Sequence, residues 1–512
     1  MTVRRRLTES LLALADGRSL PAATSQATLI LVAIGIALRV WDFRTNHSLN
    51  HDDICLALNV IGRSAGGLMH TLDFDQAAPL GFLWIERAMV RVIGPGEQAL
   101  RLLPFLFGCA SVVLISRLAT MLLPPFEAIA VVGFFGLSQA LIESGIQVKP
   151  YSLDVLVTII LVSACLPLTR DSGNRTVPLS AVAAGTFSMW FSFPALFMLA
   201  GMGAVIAGMA IIDRETARLR RLLPAFGAWA VSAGVAYWFS IRPGLLNRRL
   251  ARLDSDYLFP LHAQSRIVPW MTEAATNLGS ISTSVRLAPV AALAFLFAIG
   301  LTLWRRERLS LLLAAPIALC LLAAIAQKYP WLPRLIFFAV PLTLMITARQ
   351  VGCFVRERSR ALRILTASIA GIALVYSGLS AVKNIVVSGS GFDDPRGAVG
   401  AIAKGWQPGD RIYASDAAMP CIIYYRRILH AEQLDFVSSR NPVYVPNQVE
   451  RIASLPKTRG RLWFLYFEPN EKDFDRRILA NFHQAGSLIS HSRHKNFIVT
   501  LWDLSSESKP VP

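Results

Sequence analysis

Long apolar runs separated by short, arginine-rich breaks make up most of the first three quarters of the chain. A helix that crosses a bilayer needs ~20 mostly apolar residues, and eleven runs approach that length. They cover residues 24–41, 99–122, 126–143, 151–168, 177–192, 194–212, 223–241, 286–304, 309–326, 333–349 and 362–382. The pattern therefore predicts an α-helical polytopic membrane protein with about eleven transmembrane helices.

A further apolar run, at residues 79–93, carries Glu86, Arg87 and Arg91. A charge at the centre of the bilayer costs ~2.5–3.5 kcal/mol on insertion scales. Counting this run as a span would also move every later arginine cluster to the opposite side of the membrane. We therefore predict an amphipathic helix on the outer surface, inside an external segment at residues 42–98.

The arginines of the breaks predict which side of the membrane each break occupies. Clusters lie at residues 4–6, 214–221, 305–308 and 349–363. With eleven spans, all four fall on the cytoplasmic side, as the positive-inside rule requires. The N-terminus is then cytoplasmic, beside an uncleaved signal anchor, and the residues after the last span are extracytoplasmic.

The chain becomes more polar near Asn384 and continues as a predicted small α/β domain. Its strand-like runs are Asp410–Ala414, Arg461–Phe467 and Phe497–Trp502, and its helical runs fall near Pro395–Lys404, Ala417–Tyr425 and Asp473–Ala485. We therefore divide the chain into a transmembrane domain at residues 1–383, with external segments 42–98 and 242–285, and an extracytoplasmic domain at residues 384–512.

The composition agrees with this class of protein. Of 512 residues, 54% are hydrophobic and only 16% are charged, whereas soluble proteins carry about 25% charged residues. The net charge of +18 comes mainly from arginines in the breaks, so it indicates membrane orientation and not nucleic-acid binding. The six cysteines form no C-x-x-C pair and no metal-ligand spacing, and His47 and His51 lie in a loop, which argues against zinc.

Asp52 and Asp53 are the main candidates for chemistry, because two adjacent carboxylates follow directly after the first span. A carboxylate at the membrane surface can act as a general base or bind a divalent cation. The structural alternative is a helix cap or turn, where aspartate is common.

Five further polar residues at the predicted outer face could share a cleft with this pair: Gln76, Glu143, Lys149, Tyr151 and Arg334. Arginine matches the geometry of a phosphate with paired donors. The alternatives are that Lys149 and Arg334 are interfacial anchors and that Tyr151 is an aromatic belt residue.

The order of these segments resembles the GT-C superfamily of membrane glycosyltransferases. The acidic pair is followed by Gln76-Ala-Ala-Pro79, by Gly96-Glu97 leading to Arg101-Leu-Leu-Pro104, by Lys149-Pro-Tyr151 and by Arg334-Leu335. The most similar group is the family-39-like one, which includes protein O-mannosyltransferases and the lipid A aminoarabinose transferase. The chain departs from its pattern where Asp53 replaces a usual glutamate and Lys149 a usual arginine.

The resemblance implies transfer of a sugar from a polyprenyl-phosphate donor, with inversion, to a glycan, lipid or protein acceptor outside the cytoplasmic membrane. It implies Asp52 or Asp53 as the base and Arg334, Lys149 and Tyr151 as contacts of the donor phosphate, with Gln76 and Glu143 elsewhere in the cleft. No cofactor is expected, and a divalent cation is optional. A bacterial inner membrane fits this topology.

Two other classes of function stay open from the sequence. A flippase or transporter of a lipid-linked glycan would favour buried polar residues and inverted repeats, and we find few such charges and no repeat. A non-catalytic scaffold of the same fold would not depend on Asp52.

Overall fold

The computed structural model describes residues 22–169, 177–247, 257–261, 263–387, 393–415, 417–434, 436–437, 460–467 and 486–504. The α-helices, numbered in chain order, are α1 Ala22–Thr45, α2 His51–Gly62, α3 Leu80–Ile93, α4 Glu97–Leu122, α5 Pro125–Leu137, α6 Gln139–Glu143, α7 Tyr151–Cys165, α8 Leu179–Phe191, α9 Ala195–Ile212, α10 Thr216–Ala236, α11 Arg242–Leu245, α12 Ile267–Ser282, α13 Ala288–Arg305, α14 Arg308–Ile325, α15 Ala339–Arg356, α16 Arg360–Val382, α17 Pro395–Gly405 and α18 Met419–Ile428. The strands are β1 Arg411–Ala414, β2 Phe436–Val437, β3 Arg461–Phe467, β4 Ser487–His494 and β5 Phe497–Asp503.

The polytopic membrane fold is confirmed. Within the described residues, eight helices are long and apolar enough to cross a membrane, and α5 with α6 forms a pair, bent by 53°, that would make a ninth. Two predicted spans differ from the structure. The run at 177–192 gives α8, which has only 13 residues, and the run at 333–349 begins as a turn, so that α15 starts at Ala339.

The run at residues 79–93 is helical, as predicted, and forms α3. Leu80, Phe82 and Leu83 are buried, whereas Val92 is exposed, so the helix has one buried and one exposed face. Glu86 lies on the buried face and is completely inaccessible to solvent. The position of α3 on the outer surface stays a prediction.

The chain folds into two compact units. The first, here called the helical unit, comprises Met1–Thr45, Ser64–Ala88 and Arg101–Ser390. The second, called the mixed unit, comprises Asn46–Arg63, Met89–Leu100 and Gly391–Pro512. The mixed unit therefore combines the C-terminal residues with two pieces of the first external segment, a grouping that the sequence did not predict.

Small residues allow close helix contacts in the helical unit. A Cβ at Gly201 would lie 2.7 Å from the backbone nitrogen of Pro316, so α9 and α14 approach each other backbone to backbone. A Cβ at Gly35 would lie 3.1 Å from the Cα of Gly136, so α1 and α5 also approach each other backbone to backbone. Arg39 strengthens this second contact by donating to the carbonyl oxygens of Gly35 and Gly136, both at 2.9 Å.

The mixed unit contains a five-stranded sheet with the order β2-β1-β3-β5-β4. The strands β2, β1 and β3 run parallel, whereas β5 is antiparallel to both β3 and β4. The predicted strands correspond to β1, β3 and β5, and the predicted helices near 395–404 and 417–425 correspond to α17 and α18. Those five predictions are confirmed. The predicted helix at 473–485 lies outside the described residues.

Candidate active site

Asp52 and Asp53 lie in the first turn of α2, in the mixed unit. Negative charge is favoured there, because the free backbone N–H groups give the N-terminal end of a helix a partial positive charge. The two carboxylates differ in accessibility: Asp53 is buried at 2% exposure, whereas Asp52 is partly exposed. Of the two carboxylates, Asp52 is therefore the one that solvent can reach.

A buried hydrogen-bond network holds the chain that leads into this turn. The hydroxyl of Tyr425, on α18, donates to Glu97 Oε1 and accepts from the backbone N–H of Leu49 at 2.8 Å. Arg396, on α17, pairs with Glu97 Oε2 at 2.5 Å and donates to the carbonyl of Asn46 at 2.7 Å. Burial and the neighbouring charge of Glu97 raise the pKa of Tyr425, so its hydroxyl stays protonated.

A second set of contacts fixes the same segment from the other side. Ser48 donates to Asp394 Oδ1 at 2.7 Å, and the ring of His51 stacks on Phe467 with centroids 5.2 Å apart. Burial alone would raise the pKa of Asp394, but hydrogen bonds from Ser48 and the backbone of Gly397 outweigh it and lower that pKa. Side chains from α17, α18 and β3 thus position the start of α2.

The three predicted phosphate-binding residues, Lys149, Tyr151 and Arg334, all lie in the helical unit. Lys149 Nζ donates to Gln76 Oε1 at 2.5 Å, and both side chains are buried. Two residues later, Tyr151 begins α7 and packs its ring against Phe337, at 5.8 Å between centroids. Phe337 follows the turn Pro333–Leu335 that contains Arg334.

Arg334 itself is exposed in that turn. Residues from the second external segment support the loop that precedes it. The backbone N–H of Trp331 donates to the carbonyl of Tyr257 at 3.1 Å, and its indole N–H donates to the carbonyl of Ala274 at 3.1 Å. Residues 248–256 of this external segment lie outside the described residues.

Glu143 belongs to another cluster of the helical unit. Its Oε1 accepts from Gln139 at 2.8 Å, and Gln139 accepts in turn from Asn384 at 2.6 Å. Asp42 lies within electrostatic range of both Glu143 and Arg101. Asp42 and Arg101 are each 1% exposed. The expectation of few buried charges is therefore wrong for this part of the chain.

Metal-binding groups do not gather in the described ranges: no set of three or more histidine, cysteine or acidic side chains there could hold an ion.

The sequence interpretation missed Glu97, Arg396 and Tyr425. These residues support the first turn of α2, which carries Asp52 and Asp53 and is here called the acidic turn. The quoted Gly96-Glu97 motif was a signal for Glu97, but its partner Tyr425 lies 328 residues away along the chain, and nothing local marks it.

No family model and no curated protein matches this chain. Solved structures do. The chain is similar to ArnT from Cupriavidus metallidurans in the apo state, with 12% identity, 96% of this chain and 100% of that chain covered, and a TM-score of 0.56. The same protein bound to undecaprenyl phosphate matches with 12% identity, 94% and 98% coverage and a TM-score of 0.52.

A second protein with a similar structure is the oligosaccharyltransferase of Archaeoglobus fulgidus in complex with zinc and sulfate. It shares 10% identity, the match covers 90% of this chain and 71% of that chain, and the TM-score is 0.52. At such low identity the likeness establishes the architecture, and both proteins have the GT-C fold. The chain therefore has the GT-C fold that these membrane proteins share.

Proposed function

We propose that this protein is an inverting membrane glycosyltransferase that moves a sugar from a polyprenyl-phosphate donor to a cell-envelope acceptor. The observation that carries the proposal is the partly exposed Asp52, held in the first turn of α2 by a buried network, on a GT-C fold. The undecaprenyl phosphate bound to the similar ArnT structure supports a polyprenyl-linked donor.

In the proposed reaction, the acceptor hydroxyl oxygen attacks the anomeric carbon of the sugar. The bond between that carbon and the phosphate oxygen breaks, polyprenyl phosphate leaves, and the acceptor proton passes to Asp52. A positioned carboxylate that takes a proton late in the reaction typically contributes 10²–10⁴-fold. Asp53 is buried, and we assign it the role of keeping the first turn of α2 negatively charged.

The leaving phosphate needs positive charge and hydrogen-bond donors. Lys149, Tyr151 and Arg334 supply these groups, and Gln76 orients the ammonium group of Lys149 by accepting from it. These groups suffice for a phosphate, which is already a good leaving group. We therefore expect no cofactor and propose that transfer persists when divalent cations are chelated with EDTA.

The decisive experiment follows sugar transfer in membranes that contain the wild type, Asp52→Asn, Asp53→Asn or Arg334→Gln at equal protein levels. Labelled polyprenyl-phosphate sugars are supplied one at a time, and the lipid, polymer and protein fractions are analysed. We expect Asp52→Asn to lower transfer at least ~100-fold, and Arg334→Gln to raise KM for the donor. Unchanged transfer by Asp52→Asn would exclude it as the base.

A transporter of a lipid-linked glycan is the second candidate, because ionisable side chains are buried in apolar helices. Arg39, Asp42 and Asp154 are each at most 6% exposed, and such residues in spans often mark a transport path. In reconstituted vesicles a transporter would move the intact lipid-linked glycan across the bilayer without breaking its glycosidic phosphate bond. The enzyme instead releases polyprenyl phosphate, so analysis of the lipid product separates the two.

A further inference from the structure

An elongated apolar cavity of about 710 Å³ lies among α5, α12, α13, α15 and α16 of the helical unit. On α15 it extends from Thr343 to Arg356, which is roughly 20 Å at ~1.5 Å per residue. The hydrocarbon core of a bilayer is ~30 Å thick. The cavity therefore has the shape of a slot about two thirds as long as the hydrocarbon core is thick.

Small side chains line this slot, among them Ala130, Ala291, Ala348, Ala367 and Ala370. In membrane proteins such residues normally allow neighbouring helices to pack tightly. Here α16 packs on α5 at Leu374, where a Cβ at Gly133 would lie 2.7 Å from that side chain, but its residues from Arg363 to Ala373 line the slot. Only 11% of the candidate span Arg360–Val387 is buried. Protein interiors contain few voids of this size, because atoms that face a void lose their dispersion contacts. An apolar and flexible occupant would restore those dispersion contacts.

The charges at one end of the slot identify the chemical class of that occupant. Glu127 and Arg356 both line this end and form an ion pair with each other. Arg363, in the first turn of α16, lines the same end and is exposed. It makes no ion pair with any other residue that the structure describes. A cation without an ion-pair partner among the described residues, beside an apolar slot, fits a lipid. The anionic headgroup of that lipid would lie at the cation and its acyl chain would lie in the slot.

The occupant differs from the proposed sugar donor, because the two phosphates would lie at opposite membrane edges. Arg334 precedes the first residue of α15, whereas Arg356 is the last residue of that helix. The 18 residues of α15 separate the two ends by roughly 27 Å. A lipid with its headgroup at Arg363 therefore belongs to the leaflet opposite the one that would present the donor to Arg334.

We propose that this slot is a binding site for one anionic phospholipid, with its phosphate at Arg363 and an acyl chain between α16 and the helices α5 and α15. The lipid completes the packing of α16, the last helix before the mixed unit. This site is separate from the transfer reaction proposed above and does not depend on it.

The test uses the full-length protein purified in a mild detergent, with retained lipids measured by native mass spectrometry and by extraction. We expect about one anionic phospholipid per wild-type molecule. Arg363→Gln should lower its retention roughly fivefold, since one cation near an anionic headgroup is worth ~1 kcal/mol. Arg360→Gln is the matched control, because Arg360 is exposed in the same turn but does not line the slot.

A second pair of variants tests the slot itself. Ala367→Phe combined with Ala370→Phe fills it and should abolish retention, whereas Ser368→Phe adds the same ring to an exposed position of α16 outside the slot. Ala370→Leu is a milder filling change if the double variant unfolds. Asp52→Asn should retain the lipid in full, which separates this site from the proposed reaction.

Three results would overturn the proposal. One is a wild-type protein that retains no lipid. Another is retention that the filling variants leave unchanged. The third is a retained polyprenyl phosphate, which would make the slot part of the donor site, or a retained zwitterionic phospholipid, whose headgroup has no net charge for Arg363 to neutralise.

Discussion

Tyr425 joins parts of the chain that lie 328 and 376 residues away, since its hydroxyl bonds both Glu97 and the backbone N–H of Leu49. Both partners are buried polar groups. A buried group that loses its hydrogen bond pays its full desolvation penalty, ~1–3 kcal/mol. At the scale of single residues, the acidic turn thus depends on a tyrosine that the local sequence does not mark.

We predict that Tyr425→Phe lowers the free energy of unfolding by ~1–3 kcal/mol and decreases kcat for sugar transfer more than it changes KM. The reason is that the ring still packs while Leu49 and Glu97 lose a partner. Thermal unfolding in detergent and steady-state kinetics are the measurements. Tyr424→Phe is the control, because Tyr424 is the neighbouring tyrosine of α18 and its hydroxyl donates to a different group, the carbonyl of Pro95 at 2.9 Å. Equal kinetics for the two variants would remove the positioning role of Tyr425.

Glu86 gives a pH-dependent prediction at the same scale. Burial raises its pKa well above the usual value, and neither carboxyl oxygen has a hydrogen-bond partner among the described residues. A carboxyl group whose pKa is higher in the folded state than in the unfolded state contributes its full stability to the fold below the unfolded pKa of ~4.3. That advantage is lost as the pH rises through the folded pKa.

The melting temperature of the wild type should therefore fall as the pH rises through the raised pKa of Glu86. Glu86→Gln cannot ionise, so its melting temperature should fall less and exceed that of the wild type at alkaline pH. Melting curves from pH 5 to pH 9 measure this difference. Glu273→Gln, at an exposed position, serves as the control, and curves for Glu86→Gln that run parallel to the wild type would contradict the prediction.

At the scale of elements, hydrophobic runs predict most of this fold because a bilayer demands apolar length more than any detail of packing. The predicted runs 99–122 and 309–326 appear as α4 and α14 with nearly the same bounds. The errors fall where local conformation changes within an apolar run. Proline opens the turn Pro333–Leu335 in the run at 333–349, and Ser138 separates α5 from α6 in the run at 126–143.

The strands of the sheet differ in how clearly the sequence pattern reveals them. Both β3 and β5 are apolar on nearly every residue and are easily recognised. The strand β4, with the sequence SLISHSRH, is mostly exposed at the edge of the sheet. Its polar side chains gave no alternation to detect, and it is held by its backbone pairing with β5. Sequence reasoning missed it, as it missed the two-residue β2.

The close contact between α9 and α14 predicts that a larger side chain at Gly201 destabilises the protein. Gly201→Ala would place a methyl group 2.7 Å from the backbone nitrogen of Pro316, and a backbone cannot move aside as a side chain can. We expect a loss of ~1–3 kcal/mol in unfolding free energy. Gly208→Ala, on the same helix α9 with open space around it, should be neutral or stabilising by up to ~1 kcal/mol. Equal melting temperatures in detergent would show that α9 and α14 tolerate separation.

At the scale of the whole molecule, the candidate base and the candidate phosphate contacts belong to different units of the fold. The sequence suggested Asp52 and Lys149 as candidates from their residue types and their motifs. It did not reveal that α2 folds with the C-terminal residues, because the contacts that group them join positions more than 300 residues apart. Such pairs leave no periodic pattern in a single sequence.

Ion pairs at one edge of the helical unit predict how the whole molecule is oriented in the membrane. Three arginine-rich breaks meet at one edge. Arg308 binds Asp213 at 2.6 Å, Arg349 binds Glu307 at 3.0 Å, and Arg305 binds Glu357. The positive-inside rule makes this edge cytoplasmic, so we predict that the loop before α15 and the mixed unit are extracytoplasmic.

Single cysteines at three exposed positions, in a variant whose six natural cysteines are replaced by alanine, test this orientation. Lys328→Cys and Lys404→Cys should react with a membrane-impermeant maleimide in intact spheroplasts. Arg360→Cys, beside the arginine-rich edge, should react only after the membrane is opened. Labelling of Arg360→Cys in sealed spheroplasts would invert the topology. It would then put the proposed base on the cytoplasmic side, where a donor that is used outside the membrane could not reach it.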